Sequence, residues 1–240
     1  MKKIVILTGA GISAESGLDT FRDAGGVWAQ VRPEDVATPE AFARNPGIVH
    51  DFYNARRIQA ARAAPNPAHR ALAQLQAVWP YPVVIVTQNV DGLHEAGGAR
   101  DVLHMHGILA GALCATCNHR WPAPSTMAVT DACPNCGGQT CRPDIVWFGE
   151  IPYDMGLIFG HLATADLFVS IGTSGQVYPA AAFVQEASAA GANTLELNLE
   201  ESAVSHEFDE TRSGKASDLV PLWVAEVLDT LVAAGSVQPA

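Results

Sequence analysis

Basic side chains are scarce in this 240-residue chain: 14 Lys and Arg stand against 25 Asp and Glu, a formal net charge of −11. A nucleic-acid groove needs clustered cations against the phosphates, so no nucleic-acid partner is expected. The acidity itself reads as solubility. Also missing is any apolar run near the roughly 18 residues that cross a bilayer, so no membrane partner is expected either. A strand-like run begins within three residues of Met1 and leaves no space for a leader, which makes the cytoplasm the expected compartment. Cysteine is sparse and confined, with all five lying between Cys114 and Cys141. In a reducing compartment they read as thiols or metal ligands, not disulfides. Repeats and low-complexity segments are absent, and the length allows one substantial core with a smaller appended module.

What the chain does have is concentrated first at its start. Lys3-Ile4-Val5-Ile6-Leu7-Thr8 is a short apolar run that enters Gly9-Ala10-Gly11-Ile12-Ser13-Ala14-Glu15-Ser16-Gly17. Read as strand, turn and helix, Gly9, Gly11 and Ala14 fit the G-x-G-x-x-[GA] dinucleotide fingerprint. Glycine lets the backbone turn tightly and bring its N–H groups toward a pyrophosphate. The acidic residue that normally ends the second strand, about 20 positions on, has no counterpart. Arg32-Pro33-Glu34-Asp35-Val36-Ala37-Thr38-Pro39 holds carboxylates, but with two prolines and no apolar strand. A dinucleotide bound here must have its ribose held from elsewhere.

The rest of the chain alternates between helical and strand-like patterns. Phe21-Arg22-Asp23-Ala24-Gly25-Gly26-Val27-Trp28 reads as a mobile loop from its glycines. Pro39 and Pro46 mark helix starts, Pro65-Asn66-Pro67 ends the long 47–64 segment, and Ala68–Val78 forms another helix. Pro82–Thr87 is a buried strand leading into Gln88-Asn89-Val90-Asp91-Gly92, either a helix-capping turn or a ligand-binding strand end. Residues 101–109 read as a strand that would carry His104 and His106 on one face. Leu167–Ile171 is a buried strand ending in Gly172-Thr173-Ser174, with a helix from about Pro179 to Ala190 after it. Thr194–Leu199 is a strand ending at Glu200, where Asn198 and Glu200 offer the missing ribose contacts or simply a polar surface. A helix around Leu222–Ala234 closes the chain. Strands alternating with helices imply an α/β fold on a doubly wound parallel sheet.

Two groups of residues carry chemistry. Cys114-x2-Cys117, fifteen intervening residues and Cys133-x2-Cys136 match zinc-ribbon spacing. Four thiolates close a tetrahedral Zn²⁺, so the metal is structural and replaces a core that so short a segment cannot build. Cys141 lies outside the knuckles and reads as a small buried thiol. Either His104 or His106 could be a general base, since imidazole titrates near neutral pH.

Taken together, these stretches resemble the sirtuins, NAD-dependent protein-lysine deacylases. The matching pieces are Gly9–Gly17, Phe21-Arg22, Gln88-Asn89-Val90-Asp91, His106-Gly107, the four cysteines, Gly172-Thr173-Ser174 and Asn198-Leu199-Glu200. Phe52-Tyr53-Asn54-Ala55-Arg56-Arg57 and the 21–28 loop narrow the likeness to the bacterial branch that removes charged acyl groups such as succinyl. Asp23 departs from the Gly that relatives often have there. The resemblance implies a Rossmann-type domain (1–38, 79–110 and 142–240), a helical module (39–78) and a zinc module (111–141), with the active site between them. It implies that Gly9, Ala10, Gly11, Ser13, Glu15, Gly172, Thr173, Ser174, Asn198, Glu200 and Ala216 hold NAD's phosphates and adenosine. Asn89 and Asp91 would line the nicotinamide pocket, under Phe21 and Arg22, and Gln88 would sit near the nicotinamide ribose. His106 becomes the base because Gly107 follows it. Tyr53 and Arg56 would bind the acyl carboxylate, one helical turn apart, while Arg57 is turned about 100° away and would take no part. The peptide would lie as an added strand between Val146-Trp147-Phe148-Gly149 and Gly175-Gln176-Val177-Tyr178. In the implied reaction the acyl-lysine amide oxygen displaces nicotinamide, the base takes a proton from the ribose diol, and water releases lysine and acyl-ADP-ribose. Two rivals stay open at this level: an NAD-dependent protein ADP-ribosyltransferase, and a non-catalytic NAD sensor with a partner-binding zinc ribbon.

Overall fold

A computed structural model describes residues 2–20 and 31–233. Three runs explain its centre: Ile4–Thr8 (β1), Val83–Thr87 (β2) and Leu167–Ile171 (β7) are β-branched and apolar, and almost every residue in them is buried. Strands covered on both faces belong in a parallel sheet. β1 pairs with β2 on one side (Ile4 with Val83) and with β7 on the other (Ile4 with Leu167). Leu103–His104 (β3) extends the sheet beyond β2, while Asn193–Asn198 (β8) and Glu210–Ser213 (β9) extend it beyond β7. The spatial order is β3-β2-β1-β7-β8-β9, so the chain reverses direction across the sheet between β1 and β7.

Side-chain alternation splits the core in two. Ile4, Ile6 and Ile85 face helices Pro67–Val78 (α5) and Ala216–Ala233 (α9), meeting Leu72, Leu75, Trp223 and Val227. Val5, Leu7 and Phe168 face Met155–Leu162 (α7) and Phe183–Ala189 (α8), meeting Ile158, Leu162 and Phe183. The short helices Gly11–Ala14 (α1) and Leu93–Ala96 (α6) follow β1 and β2 at the carboxyl edge of the sheet.

The second unit is an antiparallel sheet in which Gly107–Cys114 (β4) lies between Arg120–Pro122 (β5) and Cys141–Ile145 (β6). Helices Pro33–Val36 (α2), Pro39–Arg44 (α3) and Pro46–Arg62 (α4) pack on it through Val49, Tyr53, Leu109, Ile145 and Trp147. α2, α3 and α4 each start at a proline, where the missing N–H costs no helical bond.

Two expectations need correction, and one strand is additional. Residues 101–109 are not one strand: β3 ends at His104, Met105 and His106 form a turn, and β4 begins at Gly107 in the other sheet. His104 and His106 therefore share no strand face. β9 is additional; its exposed Glu-Thr-Arg-Ser lacks apolar alternation, and it is pinned by Asp209, which accepts from the Thr194 amide at 2.8 Å. The last helix begins at Ala216, not near Leu222, and keeps Pro221 inside it.

Candidate active site

The carboxyl ends of the parallel strands form one wall of a cleft of about 870 Å³, and the helical and antiparallel elements form the other. Following the strand order, the wall passes from Asn198 at the end of β8 and Glu200 beyond it to Gly172, Thr173 and Ser174 after β7. It then passes Gly9, Ala10 and Gly11 after β1, reaches Gln88 and Asn89 after β2, and ends at His106 beyond β3. This is the reversal point where open α/β sheets take ligands.

Two turns meet there at backbone contact. A Cβ on Gly172 would lie 2.5 Å from the Ile12 nitrogen, and one on Gly9 would lie 2.7 Å from the Gly172 oxygen. Gly172 also has φ +63°, so both sterics and backbone conformation require glycine. The Gly11 amide donates to the Gly172 carbonyl at 2.9 Å. Asn198 braces the same corner by donating through Nδ2 to the Thr173 carbonyl at 2.7 Å. Glu15 lines the cleft and accepts from the Ser217 amide (2.9 Å) and hydroxyl (2.7 Å), tying the first turn to the start of α9. Ala216 lies on the lining beside Lys215, a cation that no sequence pattern pointed to.

Asn89 is buried, and its Nδ2 donates to the Gly9 carbonyl (3.0 Å) and to Ser13 Oγ (3.1 Å). Ser13 in turn donates to Asp91 Oδ2 at 3.1 Å, and Asp91 Oδ1 accepts from the Leu93 amide. Burial raises the Asp91 pKa, with the Leu93 and Ser13 hydrogen bonds opposing. Ser13 and Asp91 are not on the lining; they stand one layer behind it and hold Asn89 and the Gly-rich turn together. Phe21 and Arg22 lie outside the described residues.

The two histidines differ in electrostatics. His106 Nδ1 is 3.1 Å from the Gln88 carbonyl. A carbonyl only accepts, so Nδ1 carries the proton and Nε2 keeps a lone pair. Burial lowers the His106 pKa, with the Gln88 bond opposing, so the ring is neutral at neutral pH. His104 has both nitrogens engaged: Nε2 with Glu95 Oε1 at 2.8 Å and Nδ1 with the Asn89 carbonyl at 3.3 Å. Burial disfavours charge on His104, but the Glu95 hydrogen bond and charge outweigh it and raise the pKa. Of the two, His106 has the nitrogen and the position of a base.

The far end of the cleft is aromatic. Tyr53, Arg56, Phe52, Leu109, Ile145 and Trp147 line it, with Val146 and Phe148 beside them. Tyr53 and Arg56, three apart on α4, do reach the same cavity. Arg57 is not an idle neighbour. It is buried, donates to the Leu109 carbonyl (2.9 Å) and Asn54 Oδ1 (2.8 Å), and ties α4 to β4. Along Val146–Phe148 the amides are already engaged by the His106 carbonyl, Glu150 and the Ala37 carbonyl, so an added strand would find few donors on that edge.

Outside the cleft, the sulfurs of Cys114, Cys117, Cys133 and Cys136 all lie within 4.8 Å of one another, with two pairs at 3.7 Å. A tetrahedron with Zn–S of about 2.3 Å has edges of about 3.8 Å, so the donor set fits one Zn²⁺ and leaves no open position. Cys141 is buried beside this cluster and is not part of it.

A family model described as Sir2 family matches residues 9–179. Over 235 residues the chain is 53% identical to an NAD-dependent protein deacylase of Caulobacter vibrioides, a match spanning 95% of this chain and 98% of that one. It is 54% identical over 231 residues to the NAD-dependent protein deacylase SIR2rp3 of Leishmania major, spanning 94% and 95%. The crystal structure of a Sir2 homologue–NAD complex superposes with a TM-score of 0.88 at 37% identity, spanning 96% of this chain and 91% of that one.

Proposed function

The chain belongs to the Sir2 family, and from that premise we propose that it removes acetyl, succinyl and malonyl groups from protein lysine side chains while consuming NAD. The observation that carries the reading is His106 on a cleft that joins a glycine-built, polar end to an aromatic end. Its volume of about 870 Å³ is in the upper part of the range of about 300–1,000 Å³ for small-molecule sites, room for a dinucleotide and an acyl chain together.

NAD supplies an electrophilic ribose carbon with nicotinamide as its leaving group. The Gly9–Ser13 turn, Glu15, the Gly172–Ser174 turn, Asn198, Glu200 and Ala216 are assigned to its phosphates and adenosine. Gln88 and Asn89 are assigned to the nicotinamide riboside, with Ser13 and Asp91 acting through Asn89. His106 accepts a ribose hydroxyl proton at Nε2, which activates that oxygen for attack. Tyr53 and Arg56 receive the acyl terminus; a guanidinium and a phenol inside an apolar tunnel match a carboxylate. Cys114, Cys117, Cys133 and Cys136 are assigned one structural Zn²⁺. The parallel-sheet unit holds NAD, and the helical and zinc modules face it across the cleft.

Mass spectrometry of one peptide, acetylated or succinylated and incubated with NAD, tests the reading. Free lysine and acyl-ADP-ribose are expected. ADP-ribose attached to protein with no acyl-ADP-ribose would make the chain a transferase, and NAD binding without turnover would make it a sensor.

A further inference from the structure

Tyr53 stands at the aromatic end of the cleft, and its hydroxyl is not free to choose its role. A phenol has one hydrogen to give and lone pairs with which to accept. Trp147 Nε1 is a donor only, and it lies 3.0 Å from the Tyr53 hydroxyl oxygen. Tyr53 must therefore accept from the indole, and its own hydrogen is left for another partner. The indole is itself held. The Arg142 guanidinium lies 3.4 Å from a Trp147 ring centroid, and Phe42 packs at 5.3 Å between ring centroids. Glu150 accepts from Arg142 twice, at 2.7 and 2.8 Å, and from the Trp147 amide at 2.8 Å. Trp147 and Tyr53 are 3% and 5% exposed, so water competes little for this bond.

We propose that Trp147, held by Arg142 and Glu150, is a specificity-determining positioning residue that commits the Tyr53 hydroxyl to donation. It thereby favours acyl groups that end in an acceptor, such as a carboxylate, over acetyl. The inference rests on the acyl-carboxylate reading of Tyr53 given above and adds the device that sets it. Acetyl ends in a methyl and leaves the Tyr53 hydrogen facing carbon, which is penalised for a buried donor. Succinyl or malonyl brings oxygens that take it.

Steady-state kinetics on one peptide carrying succinyl-lysine or acetyl-lysine, for Tyr53→Phe, Trp147→Phe and the double variant, provide the test. Trp147→Phe keeps an aromatic ring under Arg142 and removes the donor. The ratio of succinyl KM to acetyl KM is expected to rise about three- to tenfold, the scale of one hydrogen bond, with the kcat ratio moving far less. Tyr53→Phe should raise the KM ratio by at least as much, and in that background Trp147→Phe should shift it no further. An unmoved ratio in Trp147→Phe, or additive effects in the double variant, overturns the role of Trp147 while leaving that of Tyr53 standing. An unmoved ratio in Tyr53→Phe defeats the carboxylate reading and this inference with it. If Trp147→Phe does not fold, a tryptophan analogue with sulfur in place of the indole N–H at position 147 makes the same comparison with the ring shape kept.

Discussion

At the scale of single residues, His106 is distinguished by what its second nitrogen is spared. Nδ1 is held by Gln88, whereas both His104 nitrogens are engaged. His106→Ala should cut deacylation by roughly 10²–10⁴-fold, the usual cost of losing a general base, and leave NAD binding largely intact. A base must be deprotonated to act, so kcat/KM should fall as the pH drops. Because burial lowers the His106 pKa, the midpoint should lie below the ordinary imidazole value of about 6.5. A midpoint above that value, or activity lost in His104→Ala and kept in His106→Ala, would move the role to His104. Arg56 and Arg57 make a second contrast. Arg56→Met should raise KM for succinyl-lysine peptide about tenfold and that for acetyl-lysine far less, on the scale of a lost charge-assisted hydrogen bond. Arg57→Met should instead lower the melting temperature, because it strips donors from the Leu109 carbonyl and Asn54. Equal KM losses on both substrates in Arg56→Met would leave a plain deacetylase.

At the scale of elements, the four cysteines hold together a module with little core of its own. Beyond the sulfurs, its buried cluster has only Ala112 and Met127, with Trp121 and Ala123 packed against it. Metal binding must replace that missing burial. Cys133→Ser is expected to abolish stoichiometric zinc and lower the melting temperature, and chelation of the native protein should do the same. Arg57 and Asn54 reach from α4 to Leu109 and Met127, so loss of the module should also loosen α4, which carries Tyr53. A metal-free variant with native melting and full activity would show the zinc to be dispensable.

At the scale of the molecule, the parallel-sheet unit buries a polar layer that includes two histidines. His69 and His94 pack edge to face at 5.1 Å between ring centroids, and His94 Nε2 lies 2.9 Å from Thr8 Oγ1. Burial lowers their pKa values to about 4 and about 3. The unfolded chain takes up those protons near pH 6.5, so their neutral burial stabilises the fold fully above that pH. The contribution is lost as pH falls from about 6.5 toward 4 and 3. His104, with a raised pKa, acts in the opposite sense. Chemical denaturation between pH 7 and pH 4 should show stability falling on acidification, and His94→Gln should flatten that slope by up to about 1.4 kcal/mol per pH unit. An unchanged slope would mean that His94 is not buried neutral.

Much of this was legible in one dimension because it depends on local pattern. The apolar runs of β1, β2 and β7 show a covered parallel sheet, since only strands buried on both faces can dispense with polar alternation. The prolines at 39 and 46 mark helix starts through their missing N–H. The paired knuckles of Cys114–Cys136 make a tetrahedral donor set whatever surrounds them. Other features arise only when distant segments meet. β9 has no apolar signature because backbone pairing and Asp209 hold it. The break at Met105-His106 comes from the chain leaving one sheet for another, which spacing along a strand cannot reveal. Arg57 reads only as a neighbour of Arg56, turned about 100° away, until β4 is laid against α4. The hydroxyl of Tyr53 acquires its direction from a tryptophan 94 positions away. Composition and periodicity record what each segment must bury, whereas the role of a polar side chain depends on which donor or acceptor folding brings within 3 Å of it.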